Sequence, residues 1–151
     1  MKVIISGDGS DELFGGYNYH QASFIRMPIF AHDKPLRLFS TFSHEEKKQL
    51  YNISSLRKES GAFYRFWLDF FRTFRFKDEL NGILSFDLSL RLPRYSLMPL
   101  DFLSMHHSLE VRVPFLDDKV VDFSIKLPGR MKVKKEERKL VLKEAMKGLL
   151  P

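Results

Sequence analysis

The chain has 151 residues, of which 25 are basic and 19 acidic, giving a net charge of +6; 44% are hydrophobic, enough for one buried core. Zero cysteines exclude disulfides, thiolate zinc sites and a Cys nucleophile on this chain, and fit a reducing compartment. No apolar run approaches membrane-spanning length, and Val3-Ile4-Ile5 gives way to Ser6-Gly7-Asp8 too soon for a secretory signal, so a cytoplasmic location without a membrane partner is expected.

In chain order, Val3-Ile4-Ile5 is an all-apolar run that predicts a strand buried on both faces, the kind found inside parallel sheets. The remainder reads as helical. The chain is therefore expected to be mostly α-helical with one N-terminal buried strand, whose neighbours lie outside the 151 residues. Ser10 is placed to cap a helix with Asp11 and Glu12 in its first turn and Leu13, Phe14, Tyr17, Gln21, Phe24 and Ile25 at helical spacing. Pro28 and Pro35 bracket a loop, and Ser43 with Glu46 forms a capping box before a short helix to about Tyr51.

Phe63, Phe66, Trp67, Phe70, Phe71 and Phe74 mark a long apolar helix. Arg65, Arg72 and Arg75 interleave with them as in a base-stacking platform, but the helical spacing reads as core, and nucleic acid is not expected as a partner. Further helices are expected at about 80–92, 95–106, from Asp117 to Leu127 and from Lys135 to Leu149. On the last, Lys135, Lys139, Lys143 and Lys147 would form one basic stripe, read as a solvated face. His106 and His107 are adjacent, would point apart on a helix and lack a third metal ligand nearby.

The strongest chemical signal is Ser6-Gly7-Asp8-Gly9-Ser10-Asp11-Glu12, between strand and helix. Ligands of open α/β sheets bind at the carboxyl ends of strands, where loop amides and helix N-termini converge. Gly7 and Gly9 allow close backbone approach, and Ser6 and Ser10 add hydroxyls. Asp8, Asp11 and Glu12 would repel a bare phosphate, since like charges about 4 Å apart interact by roughly 4 kcal/mol at an effective dielectric near 20. A divalent cation reverses that sign, so the loop reads as a Mg-nucleotide site. Glu12 stands where the dinucleotide fingerprint needs its third glycine, and no Gly-Lys-Ser/Thr loop exists, which excludes the P-loop. Gly15 and Gly16, costing about 1 kcal/mol each inside a helix, imply a close backbone contact.

This loop, followed by Leu13-Phe14-Gly15-Gly16-Tyr17, resembles the second nucleotide-site motif of the asparagine synthetase class. Asp101, Ser104, Met105, Ser108, Glu110, Arg112 and Pro114-Phe115-Leu116-Asp117 form a second block similar to the family pattern, and Lys139 falls in the closing helix before Leu150-Pro151. The resemblance covers essentially the whole chain, least diagnostically from Pro28 to Pro93. It implies an adenine nucleotide alpha-hydrolase-like (ATP-pyrophosphatase) α/β parent fold, a parallel sheet with helices. It also implies ATP and Mg2+ as cofactors, and an enzyme that adenylates the aspartate β-carboxylate and transfers ammonia from glutamine to give asparagine, AMP and pyrophosphate.

By the same resemblance Asp11 is a Mg2+ ligand, Asp8, Glu12 and Lys139 are catalytic, and Ser6, Gly7, Asp8, Gly9, Ser10, Glu110 and Arg112 bind ATP or substrate. Asp8 stands where synthetases often carry Glu, which orients or deprotonates the attacking ammonia; Asp is one methylene shorter, leaving the acceptor amine open. Glu110 and Arg112, two apart in an extended segment, point the same way and either form a structural ion pair or face substrate. Phe102 replaces the basic residue frequent after Asp101.

Relative to the family, the pyrophosphate loop, the N-terminal glutaminase and the C-terminal end with its lysine are absent, so the chain is expected to be a partial synthetase domain, inactive alone. The implied partners are aspartate and ATP, a glutaminase domain on the same or a separate chain, and a homodimer through exposed apolar faces. The alternatives are a related ATP-dependent amidoligase with another acceptor, or a truncated non-catalytic interaction module.

Overall fold

The computed structural model describes residues 2–21, 42, 46, 49–50, 62–135 and 137–149. The expected loop from Pro28 to Pro35, Ser43 of the capping box and Tyr51 lie outside them.

Strand β1, Lys2–Ile5, pairs in parallel with β2, Leu109–Arg112, in the register Lys2↔Leu109, Val3↔Glu110, Ile4↔Val111 and Ile5↔Arg112. The expectation of one strand buried on both faces is corrected twice: among the described residues the sheet has two strands, and Val3, Ile4 and Ile5 are exposed. An apolar run identifies a strand, but burial needs a layer across each face, and the described elements supply none to β1. The extended segment that holds Glu110 and Arg112 is strand β2; Leu109-Glu110-Val111-Arg112 holds only two apolar–polar alternations, too few to mark it as a sheet strand.

Helix α1 spans Ser10–Phe14. Its N-cap is Gly9 and not Ser10, whose side chain makes no capping bond. Gly15, at φ 74°, ends the helix and donates its N–H to the Asp11 carbonyl at 2.9 Å; a left-handed residue cannot continue the helix, so the expected single helix through Ile25 breaks here. Helical backbone resumes at residues 18–21.

The long aromatic helix is present as α2, Ala62–Phe74. Helix α3, Glu79–Phe86, is capped by the Asp78 carboxylate, which accepts from Asn81 N at 3.0 Å. It then runs through π-helical turns at Asp87–Arg91 and Pro93–Leu97 into α4, Met98–His106, so the break expected between 92 and 95 does not occur. The wider winding links Leu92 N to Asp87 O and Met98 N to Pro93 O, five residues back, and so passes a proline that α-geometry would reject. The rings of His106 and His107 do not point apart; they meet edge to face at 5.3 Å, because His107 has left the helix with φ −99°, ψ 13°.

After β2 come a 3-10 turn at Pro114–Leu116, helix α5 at Asp118–Lys126 capped by Asp117, a second 3-10 turn at Gly129–Met131, and helix α6 at Leu140–Met146. The expected helix from Lys135 is thus shorter, and the lysine stripe is not one helical face: Lys139 is the N-cap of α6 in left-handed geometry.

The core has two centres. Trp67, Phe71, Ile83 and Phe86 pack α2 against α3, with Phe70, Phe76 and Leu90 around them. Leu80, Leu84 and Val133 form the other. This places Trp67, Phe70 and Phe71 of the aromatic stripe in packing, with Trp67 fully buried, while Phe66 and Phe74 stay largely exposed. The segment after α5 is fastened to the start of α3: Gly129 N donates to Asp78 Oδ2 at 2.7 Å, and Asn81 Nδ2 donates to Leu127 O at 2.8 Å. Ser124 Oγ donates to Leu13 O at 2.7 Å, satisfying a C-terminal carbonyl of α1.

Lys132, only 1% exposed, donates from Nζ to Asn81 Oδ1 at 2.7 Å. Burial pushes its pKa down to about 8, against a partial opposing pull from Asp78. Between pH 8 and 10 the unfolded chain therefore holds a proton that the folded chain has released, and stability must rise with pH. Denaturant unfolding of the native chain is expected to gain on the order of 2–3 kcal/mol relative to Lys132→Met across that window; parallel pH profiles for the two would contradict the assignment.

Candidate functional site

The loop from Ser6 to Gly9 leaves β1 at its carboxyl end and enters α1. Its position is set by β2, because Ser6 N donates to Arg112 O at 2.9 Å, extending the parallel ladder by one bond. Two loop carboxylates, Asp8 and Asp11, meet different partners. Asp8 accepts from the hydroxyls of Ser6, at Oδ2, and of Ser96, at Oδ1. These bonds, Ser6 foremost and then Ser96, hold its carboxyl below the ordinary aspartate value despite partial burial.

Asp11 meets Lys139. Its Oδ1 lies 2.8 Å from Lys139 Nζ, which also donates to Ser10 Oγ at 2.9 Å. The close backbone contact expected of Gly15 and Gly16 is present, outside the helix: a Cβ on Gly16 would fall 1.5 Å from Asp11 Oδ1 and 2.4 Å from Lys139 Cε, and one on Gly15 would fall 2.4 Å from Val133 Cγ2. Gly16 thus makes room for the Asp11–Lys139 pair. The neighbouring Arg138 donates to Gly16 O at 2.8 Å, and Gln21 Nε2 to Lys135 O at 2.7 Å. Together these bonds seat the segment before α6 on the end of the loop.

Glu12 points inward, 3% exposed, with Oε1 accepting from Tyr17 OH at 2.7 Å. Beyond it lies a polar network that sequence reasoning missed. The Arg91 guanidinium sits 4.5 Å over the Tyr17 ring and donates to Tyr19 OH. Tyr19 OH donates to Asp87 Oδ2 at 2.7 Å, and His20 Nε2 lies 2.7 Å from the same oxygen, with His20 and Asp87 both fully buried. Because Tyr17 N donates to His20 Nδ1 at 3.2 Å, the His20 proton is on Nε2, facing Asp87. Burial and the neighbouring carboxylates push both tyrosines well above the ordinary phenol value, so both remain hydroxyl donors. The sequence signal for this network is Asp87 and Arg91, opposite charges four residues apart among Phe86, Leu88, Leu90 and Leu92; their contact with Tyr19 depends on winding, which spacing does not reveal.

Ser6, Gly7, Asp8, Gly9, Ser10, Asp11, Glu12 and Lys139 are therefore brought together. Glu110 and Arg112 are not joined to that group through their side chains: Arg112 Nε bonds Glu110 Oε1 at 2.7 Å on a largely exposed face, so of the two readings the ion pair is the one observed. Phe102 is exposed on α4.

No group of three or more His, Asp or Glu gathers among the described residues. Asp11 is half-exposed at the loop's mouth, which fits Mg2+ held mostly by phosphate oxygens and water, with one carboxylate from the protein. It does not fit an all-protein cage. For the buried network, Asp87→Ala is expected to lower unfolding free energy by about 3–5 kcal/mol, since it strips both Tyr19 and His20 of a buried acceptor; a loss under 1 kcal/mol in denaturant titration would show that the network does not hold the fold.

The family model for asparagine synthase matches residues 1–151. The chain is 28% identical over 187 aligned positions to asparagine synthetase [glutamine-hydrolyzing] 1 of Bacillus subtilis, covering 100% of this chain and 29% of that protein. It is 31% identical to a putative asparagine synthetase [glutamine-hydrolyzing] of Mycobacterium tuberculosis, covering 100% of this chain and 28% of the relative. A putative asparagine synthetase [glutamine-hydrolyzing] 1 of Methanocaldococcus jannaschii is 28% identical, over 88% of this chain and 16% of its own length. The chain thus spans under a third of these relatives, and no solved structure matches it. With the match running from end to end, the chain belongs to the asparagine synthase family.

Proposed function

We propose that this chain forms the nucleotide- and aspartate-binding part of a glutamine-dependent asparagine synthetase, in which ATP activates the aspartate β-carboxylate and ammonia displaces AMP. The observation that carries the reading is the meeting of Asp11, Ser10 and Lys139 at the carboxyl end of β1. The Lys139 ammonium, from the far end of the sequence, meets the Ser10 hydroxyl and the Asp11 carboxylate of the acidic glycine loop, an arrangement that suits a metal-bound triphosphate.

In this reading Asp11 would hold Mg2+, which when bound would neutralise phosphate charge. Lys139 is close enough to Asp11 to exchange its carboxylate partner for a phosphate oxygen, so its charge stabilises negative charge as it develops at the α-phosphate. Gly7 and Gly9 allow close backbone approach, and the hydroxyls of Ser6 and Ser10 line the nucleotide side. Glu12 and Tyr17 keep the base of α1 rigid beneath the loop. The rest of the activity, including the supply of ammonia from glutamine by a glutaminase domain, belongs to polypeptide beyond these 151 residues, and the isolated chain is inactive.

The test supplies the remainder of the Bacillus subtilis relative in trans. Aspartate-dependent release of pyrophosphate from Mg-ATP is expected to appear with the native chain and to fall at least a hundredfold with Asp11→Ala. Release that proceeds equally with the Asp11→Ala chain would refute the metal-ligand role, and release driven by another carboxylic acid in place of aspartate would favour an amidoligase of different substrate.

A further inference from the structure

Lys139 Nζ lies 2.8 Å from Asp11 Oδ1 and donates to Ser10 Oγ at 2.9 Å, so its ammonium is seated on the carboxylate that a metal at this loop requires. The backbone of Lys139 is held from both sides. On one side the Arg138 guanidinium donates to Gly16 O at 2.8 Å and to Asn18 Oδ1 at 2.5 Å; on the other, Leu140 N donates to Lys132 O at 2.9 Å. Between these anchors Lys139 keeps φ 54°, ψ 36°, a left-handed conformation that a residue with a Cβ rarely adopts. A strained residue whose neighbours are both fastened does not follow a ligand by shifting its backbone. Its four-carbon stem is what can move. The stem passes over Gly16, where a Cβ would fall 2.4 Å from Lys139 Cε, and the glycine leaves it room.

Both side chains are partly open to solvent, Asp11 at 36% and Lys139 at 26%, so a ligand can reach either one. A cation and a polyanion then meet opposite receptions. A divalent ion approaching Asp11 alone faces an ammonium already on the carboxylate, with twice the repulsion that two unit charges feel at the same distance. It also competes with a cation tethered to the same protein, whose effective concentration is on the order of millimolar or above. A polyphosphate offers that ammonium a substitute partner within reach of its stem. The carboxylate it leaves behind is then open to the metal that accompanies the phosphates.

We propose that the Asp11–Lys139 pair is an intramolecular lock on cation binding, which excludes a free divalent ion from the loop and yields to one that arrives with a polyphosphate. The proposal rests on the reading of this loop as a Mg-nucleotide site. By linkage, metal and polyphosphate strengthen each other's binding by one common factor, to which Lys139 contributes.

Mn2+ takes the same oxygen ligands as Mg2+, and its paramagnetic broadening of the Asp11 amide resonance reads cation binding in the full 151-residue chain without turnover. The native chain is expected to need roughly tenfold more Mn2+ than Lys139→Met for equal broadening, and to lose that deficit when inorganic tripolyphosphate is supplied with the metal. Lys143→Met, which removes an equal charge from an exposed position of α6, is expected to behave as the native chain does. In the native chain itself, at constant ionic strength, the Lys139 Nζ resonance is expected to stay in place with MgCl2 and to shift with Mg-tripolyphosphate. Equal Mn2+ requirements for the native and Lys139→Met chains, an equal gain in Lys143→Met, or a Lys139 Nζ shift with MgCl2 alone overturns the proposal. An Asp11 resonance that stays sharp in every chain, Lys139→Met included, with and without tripolyphosphate, refutes the metal reading itself and the lock with it.

Discussion

Parallel pairing between β1 and β2 is the constraint on which the site depends. Two parallel strands cannot be joined by a tight turn, so the chain between them must make a crossover, and here that crossover contains every helix from α1 to α4. Parallel strands also end together. The carboxyl ends of both therefore lie on one side, where β1 delivers Ser6 to Glu12 and β2 delivers the turn that starts at Pro114. Leu116 of that turn lies under Gly9, so close that a Cβ there would sit 2.4 Å from its side chain. The loop is thus cast between two strand ends and has little freedom to choose its shape.

Beneath the loop, buried polar groups replace apolar packing. Glu12, Tyr17, Arg91, Tyr19, Asp87 and His20 form a connected set in which hydrogen bonds and a cation over an aromatic face alternate. In a low-dielectric interior such a set strengthens its own members and punishes any unsatisfied one, so it selects a single arrangement where aliphatic contacts would tolerate several. Rigidity of this kind suits a site whose acidic side chains must be held against mutual repulsion.

Much of this organisation is legible in the residues. Val3-Ile4-Ile5 followed by an acidic glycine loop marks a strand that feeds a loop and a helix, and the Phe and Trp spacing from 63 to 74 marks a helix that packs through Trp67, Phe70 and Phe71. Gly15 and Gly16 announce a close approach. Other features are hidden for physical reasons. Pro93 normally stops an α-helix, and only the change of hydrogen-bond span shows how the chain continues through it. The four-residue spacing of Lys135, Lys139, Lys143 and Lys147 imitates a helix face, but spacing cannot report that Lys139 adopts a left-handed conformation to reach Asp11. The exposure of β1 is hidden because apolar character belongs to a residue, whereas burial belongs to its neighbours.

The bond from Lys139 Nζ to Ser10 Oγ joins residues 129 positions apart, and the β1–β2 ladder closes a loop nearly as long. Contacts of such sequence separation carry a large loop-closure entropy and form slowly, after local helices have already appeared. The helical core around Trp67 and Phe71 draws on neighbouring segments and can assemble early. The loop, by contrast, has neither its strand partner nor its lysine until the two ends of the chain meet. Competence of this site is therefore a late event in folding, and a partly folded chain with full helical content would still lack it.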